Sequence, residues 1–107
     1  MDLDRTFLAL ADPTRRHLLA SLEGGDRTLS QLAQPLPITL MAVQKHVRVL
    51  EEVQLVATVK VGRTRVCHLG PRRLEDVRDW VEIYRQMVNE QLDRFGDLLD
   101  RTKGDPQ

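Results

Sequence analysis

The chain reads as mainly α-helical with one small β-hairpin, and three observations carry that reading. Apolar residues recur every three or four positions through most of its 107 residues. Helix-start signals stand at Asp12-Pro13, Thr28 and Thr39. The period shortens to about two only between residues 55 and 69.

Taken in order, Leu3, Phe7, Leu8 and Leu10 predict a short first helix. Asp12 can accept from orphan amides as the N-cap of the next, and Pro13 at the first helical position gives up no needed donor. Leu18, Leu19 and Leu22 then face a core, and Gly24-Gly25 ends the helix. Thr28 and Gln31 have capping-box spacing, with Leu29, Leu32 and Ala33 as the apolar side of a short third helix closed by Pro35 and Pro37. Thr39 caps a fourth helix from about 40 to 53. Residues 55–61 and 65–69, rich in Val and Leu, read as strands around a Gly62-Arg63-Thr64 turn.

From Pro71 the helical period returns and runs to about Arg101. Leu74, Val77, Val81, Tyr84, Val88, Leu92, Phe95 and Leu99 form a stripe that Trp80, Met87 and Leu98 widen. A helix of about 28 residues is roughly 40 Å long, and the rest of the chain offers little core to cover such a stripe. The expectation is one domain over 1–107: a core at 3–70, a dimerisation helix at 71–101 and a frayed tail at 102–107.

Length excludes a large two-domain enzyme. No apolar run approaches the roughly 20 residues that cross a bilayer, and the Asp-rich start lacks a signal peptide's basic n-region, so the expectation is a cytoplasmic chain with no membrane partner. The single cysteine, Cys67, leaves packing rather than disulfides to hold the fold. Sixteen basic residues balance sixteen acidic ones, and that neutrality taken alone argues against a polyanionic partner. Divided along the chain it reads differently. Residues 1–43 carry four basic and five acidic side chains, 44–73 seven and two, and 74–107 five and nine. A middle segment at +5 between flanks at −1 and −4 suits a surface that meets phosphate.

Two short helices joined by a turn and followed by a hairpin make a winged helix-turn-helix, whose second helix enters a major groove. At 100° per residue, with Leu40 at zero, Val43, Val47 and Leu50 fall at roughly 280° to 340°, the buried side. Met41, Gln44, Lys45 and Arg48 fall at roughly 40° to 140°, the outward side. An amide can pair with adenine edges, cations with guanine or phosphate, and Met41 with a thymine methyl. An ordinary solvated face is the alternative, since Glu51 and Glu52 follow one turn later. His46, at the border, is better placed for packing than for reading bases. Lys60, Arg63 and Arg65 surround the hairpin tip and suit backbone or minor-groove contact, although charge protecting an exposed edge has the same look.

The runs Ala9-Leu10-Ala11-Asp12-Pro13-Thr14-Arg15-Arg16 and Ala42-Val43-Gln44-Lys45-His46-Val47-Arg48-Val49-Leu50-Glu51-Glu52, with Leu55-Val56, resemble the ArsR/SmtB family of bacterial winged-helix repressors over residues 3–100. That resemblance implies a homodimer built on the first and last helices, operator binding by the fourth helix and wing, and repression relieved by a signal. By position, the family's reading residues fall on Thr39, Leu40, Met41, Gln44 and Lys45; Leu40 and Met41 occupy places more often polar, which implies apolar base contact. Arg48, Lys60, Arg63 and Arg65 complete the expected DNA-binding set. Leu3, Phe7, Val81, Tyr84, Val88, Leu92, Phe95 and Leu99 form the expected dimer interface.

The family's usual metal ligands are missing. The arsenic-type site needs a Cys-x-Val-Cys pair where residues 28–32 hold no cysteine, and the zinc-type site needs histidine where residues 71–107 hold none. No metal and no cofactor is expected, and the identity of any small-molecule effector stays open. Cys67 and His68 adjoin on a strand and point to opposite faces, so they chelate poorly within one chain.

The leading function is thus a dimeric, sequence-specific regulator of double-stranded DNA, a repressor. Two alternatives stand beside it: a winged-helix module that docks a protein partner through its last helix, and a metal- or thiol-responsive switch through Cys67. Enzyme chemistry has little footing. Ser21 and Ser30 lack a Gly-rich elbow, His17, His46 and His68 lie in separate elements, and Asp76, Asp79 and Glu82 alternate with Arg78 and Arg85 as a solvated face does.

Overall fold

Asp12 and Pro13 act as the sequence predicts. In the computed structural model, which describes residues 2–103 and side chains through Arg101, the Asp12 carboxylate accepts the Arg15 amide at 3.0 Å and Pro13 opens helix α2, Pro13–Glu23. The preceding helix α1, Leu3–Leu10, is capped by Asp2, whose carboxylate accepts from the Arg5 amide at 3.1 Å. Its buried residues are Thr6 and Ala9 rather than its large apolar ones. Small side chains let neighbouring elements approach, and the Thr6 hydroxyl is satisfied by donating to the Asp2 carbonyl at 2.8 Å.

Strand β1, Arg27–Thr28, was not foreseen: two residues carry no period to read. Thr28 also caps α3, Leu29–Ala33, through a complete capping box, with the Gln31 amide donating to Thr28 Oγ1 at 3.1 Å and the Thr28 amide to Gln31 Oε1 at 2.9 Å. Helix α4, Leu40–Glu52, starts at Thr39, whose hydroxyl accepts the Ala42 amide at 3.1 Å. Val53, expected inside the helix, is its C-cap.

Strands β2, Val56–Val61, and β3, Thr64–Leu69, pair antiparallel, and β1 joins the other edge of β3, giving the order β1-β3-β2. The turn holds two residues, not three, because Val61 pairs with Thr64. Gly62 makes this possible at φ +63°, a conformation that glycine adopts at little cost.

Leu18, Leu19, Leu22, Leu32, Val43, Val47, Leu50, Leu55, Val56 and Cys67 are buried where α2, α3 and α4 pack on one another and on the sheet. Burial of each leucine contributes about 1.5–3 kcal/mol relative to exposure.

The chain divides into two compact units, 1–73 and 74–107. The second is α5, Leu74–Lys103, which begins three residues later than Pro71 suggested and extends two residues past Arg101. Val81, Tyr84, Leu92, Phe95 and Leu99 are exposed along it, Val88 is half-buried, and Trp80 stacks on Tyr84 with ring centroids 5.8 Å apart. Of the expected tail at 102–107, residues 102 and 103 are helical and 104–107 lie outside the described residues.

Candidate nucleic-acid interface

Helix α4 has two faces of opposite character. Val43, Val47 and Leu50 are at most 2% exposed and anchor it to the core. Leu40, Met41, Gln44, Lys45 and Arg48 are exposed on the other side, so amide, cations and soft apolar groups point away from the fold. Thr39 is exposed too, with its hydroxyl oxygen already accepting as the cap.

The wing stands beside this helix. A groove of about 350 Å³ runs between them, lined by Ser30 of α3, Leu40 and Gln44 of α4, and Lys60, Arg63 and Arg65 of the wing, among others. It gathers five of the nine residues predicted to meet DNA, three of them cations from the hairpin. A second hollow, about 490 Å³, is lined by Gln44, Arg48, Glu51 and Arg65, among others. Met41 and Lys45 stand exposed on α4 outside the linings of both.

Arg63 is exposed at the turn itself. Arg65 is tied down: its Nη1 donates to Thr58 Oγ1 at 2.7 Å, and the Thr58 hydroxyl donates to Glu51 Oε2 at 3.2 Å. Glu52, exposed, lies 3.7 Å from Arg5 of α1.

Residues outside the predicted set hold the frame. Arg15 donates from Nε to the Ala9 carbonyl at 2.6 Å and from Nη2 to the Leu8 carbonyl at 2.9 Å, and Arg16 reaches the Leu10 carbonyl at 2.8 Å. These guanidinium groups bind carbonyls of the last turn of α1, where helical partners run out; the Leu8 carbonyl also accepts the Ala11 amide at 3.2 Å. Arg15 Nη1 also stands 3.3 Å from His46 Nδ1 on α4. Since a guanidinium can only donate, that ring nitrogen is the acceptor. His46 is therefore a half-buried strut between helices, with Asp12 4.0 Å from the same nitrogen. The Asp-Pro-Thr-Arg-Arg run marked the helix start; nothing in its spacing disclosed how far the arginines reach. Ser30 was likewise missed, because only the closed sheet brings α3 to the wing.

The Arg15 amide bond is the main cause holding the Asp12 carboxyl below its ordinary range; burial opposes it, and the Arg15 charge adds to the lowering. Burial pushes the Cys67 thiol up to about 11, Glu51 adds to the rise and Arg65 opposes it. Cys67 faces the core while His68, on the other side, lies with Nδ1 3.0 Å from the Leu69 carbonyl. Among the described residues no three of His, Cys, Asp and Glu gather as metal ligands, and no helix is long and apolar enough to cross a membrane.

Comparison with known proteins points the same way. A helix-turn-helix domain family matches residues 10–59. The chain is 39% identical over 75 residues to the HTH-type transcriptional regulator Rv2034 of Mycobacterium tuberculosis, covering 70% of each chain. It is 28% identical over 79 residues to the transcriptional repressor SdpR of Bacillus subtilis, covering 74% of this chain and 88% of that one. Among solved structures, the crystal structure of an ArsR family transcriptional regulator superposes with a TM-score of 0.73 at 36% identity, covering 81% of this chain and 90% of that one.

Proposed function

The chain belongs to the ArsR family of winged helix-turn-helix transcriptional regulators, a DNA-binding protein and not an enzyme, and from that premise we propose that it is a homodimeric, operator-specific repressor. The observation that carries the reading is α4: Val43, Val47 and Leu50 fix one face in the core, which obliges Gln44, Lys45 and Arg48 to face outward beside the cationic wing. Gln44 and Lys45 read base edges in the major groove, Leu40 and Met41 touch thymine methyls, and Arg48 spans base edge and phosphate. Thr39 places the helix N-terminus toward the backbone. Lys60, Arg63 and Arg65 contact phosphate or the minor groove.

The exposed stripe of α5 supports the dimer. Val81, Tyr84, Val88, Leu92, Phe95 and Leu99 form an apolar stripe along α5 that a second copy would cover; in this reading Leu3 and Phe7 of α1 also meet the partner, residues 3–70 otherwise read DNA and 71–101 pair the subunits. A twofold dimer presents two reading helices to half-sites about one helical turn apart. Repression rests on the likeness to the Bacillus repressor.

The test is a salt-dependent gel shift on the DNA upstream of the chain's own gene. The wild type binds specifically and the Lys45→Ala/Arg48→Ala double variant does not; equal binding by the two overturns the assignment of α4. Arg63→Ala weakens binding to all sequences alike and lowers the salt slope by about one.

A further inference from the structure

The wing and the reading helix are joined by a short polar chain that neither element's sequence pattern announces. Glu51 lies half-buried near the end of α4 and accepts the Thr58 hydroxyl proton at 3.2 Å; Thr58 Oγ1 accepts from Arg65 Nη1 at 2.7 Å. Strand register explains the meeting. Thr58 opposes Cys67 and Lys60 opposes Arg65, so all four side chains stand on one face of the hairpin, with Cys67 fully buried at its base. The other face carries Val59 and Val61, both more than half exposed. Beyond Thr58 the hairpin therefore has little apolar packing to set its angle to α4. A hydroxyl between a carboxylate and a guanidinium makes two charge-assisted bonds, which are stronger and more directional than neutral ones.

We propose that Thr58 is a positioning residue for DNA binding: its hydroxyl relays Glu51 of α4 to Arg65 of the wing and so holds the wing cations at a set distance from Gln44 and Arg48. The inference rests on the DNA-binding reading above and deepens it. Arg65 then serves in two ways. One donor fixes the wing, while the guanidinium as a whole lines both hollows beside the outward face of α4. Without the hydroxyl the hairpin can tilt, and ordering it must be accomplished at the moment of binding, at the expense of affinity.

The experiment titrates the duplex that the wild type selects from a random-sequence pool against wild type, Thr58→Val, Thr58→Ser, Arg65→Ala and Thr58→Val/Arg65→Ala, with thermal unfolding of each. Valine keeps the β-branch and removes the hydroxyl. Thr58→Val is expected to bind about tenfold more weakly, equivalent to about 1.4 kcal/mol, while Thr58→Ser retains wild-type affinity. In the Arg65→Ala background the same Thr58→Val change is expected to shift affinity less than about twofold, because residues in one network are not additive. A loss equal in both backgrounds would make Thr58 merely structural and overturn the proposal, as would Thr58→Val binding within about twofold of a binding-competent wild type. If Thr58→Val does not fold, Glu51→Gln keeps an acceptor oxygen without the charge; about threefold weakening that vanishes in the Arg65→Ala background sustains the proposal, and no weakening ends it. A wild type that selects no duplex refutes the DNA-binding reading itself, and this inference falls with it.

Discussion

Gly70→Ala should destabilise the domain far more than its single methyl suggests. A Cβ at position 70 would stand 2.4 Å from the Gln54 carbonyl oxygen and 2.9 Å from both Gln54 C and Val56 N, where ordinary contacts begin at 3.4 Å. All three are backbone atoms, and that backbone is held from several sides. The Gly70 amide donates to the Leu55 carbonyl at 2.9 Å, and the Arg72 amide to Gln54 at 3.0 Å. Gln54 already sits at φ +67°, while Leu55 and Val56 beside it are buried. Relief requires a shift of about 1 Å between the exit of α4 and the end of β3. Overpacking of this kind costs about 1–3 kcal/mol, and opening the Gly70–Leu55 hydrogen bond adds about 1 kcal/mol. A loss of about 2–4 kcal/mol lowers Tm by roughly 10–25 °C in a domain of this size. Thermal and urea unfolding followed by far-UV circular dichroism measure it. Gly62→Ala is the control, since nothing lies within 4 Å of its Cβ and only φ +63° opposes the change, about 1 kcal/mol. A Gly70→Ala protein melting within about 2 °C of wild type, or melting above Gly62→Ala, would refute the steric reasoning.

Asp12→Ala should cost about 1 kcal/mol at neutral pH in urea unfolding, and Asp12→Asn much less, because asparagine caps equally well. The folded-state value of this carboxyl lies below its unfolded value near 3.8, so its contribution is complete above that pH and disappears as pH falls through the folded value; the two variants should converge with wild type in acid. Cys67 has the opposite sign. Its thiol is raised to about 11, so its contribution is complete below the unfolded value near 9 and is lost as pH rises through 11. Iodoacetamide labelling at pH 8 should therefore be slow in the native state and track global unfolding across a urea series, and rapid native labelling would contradict the burial.

Where local signals operate, sequence and structure agree. Asp12, the Thr28–Gln31 box and Thr39 are caps because capping is a matter of three or four adjacent residues. The division of α4 into a Val43-Val47-Leu50 side and a Gln44-Lys45-Arg48 side follows from the helical period alone. Strand β1 escaped because two residues carry no pattern. The turn is one residue shorter than the sequence suggests because Thr64 suits turn and strand alike. On α1 Phe7 and Leu8 are exposed and Leu3 and Leu10 half-buried, while Thr6 and Ala9 are fully buried, since closeness of approach rather than side-chain size chose what is buried there.

The amino-acid sequence by itself determined the helices, the two wing strands and the outward chemistry of α4, since each depends on spacing within one segment. Only the tertiary structure decided which cations share a groove with Gln44, that Arg65 is bound through Thr58 to Glu51, and that Arg15 reaches back to α1 and across to His46. Those relations depend on strand register and on the distance between packed elements, and neither is written in the period of any single segment.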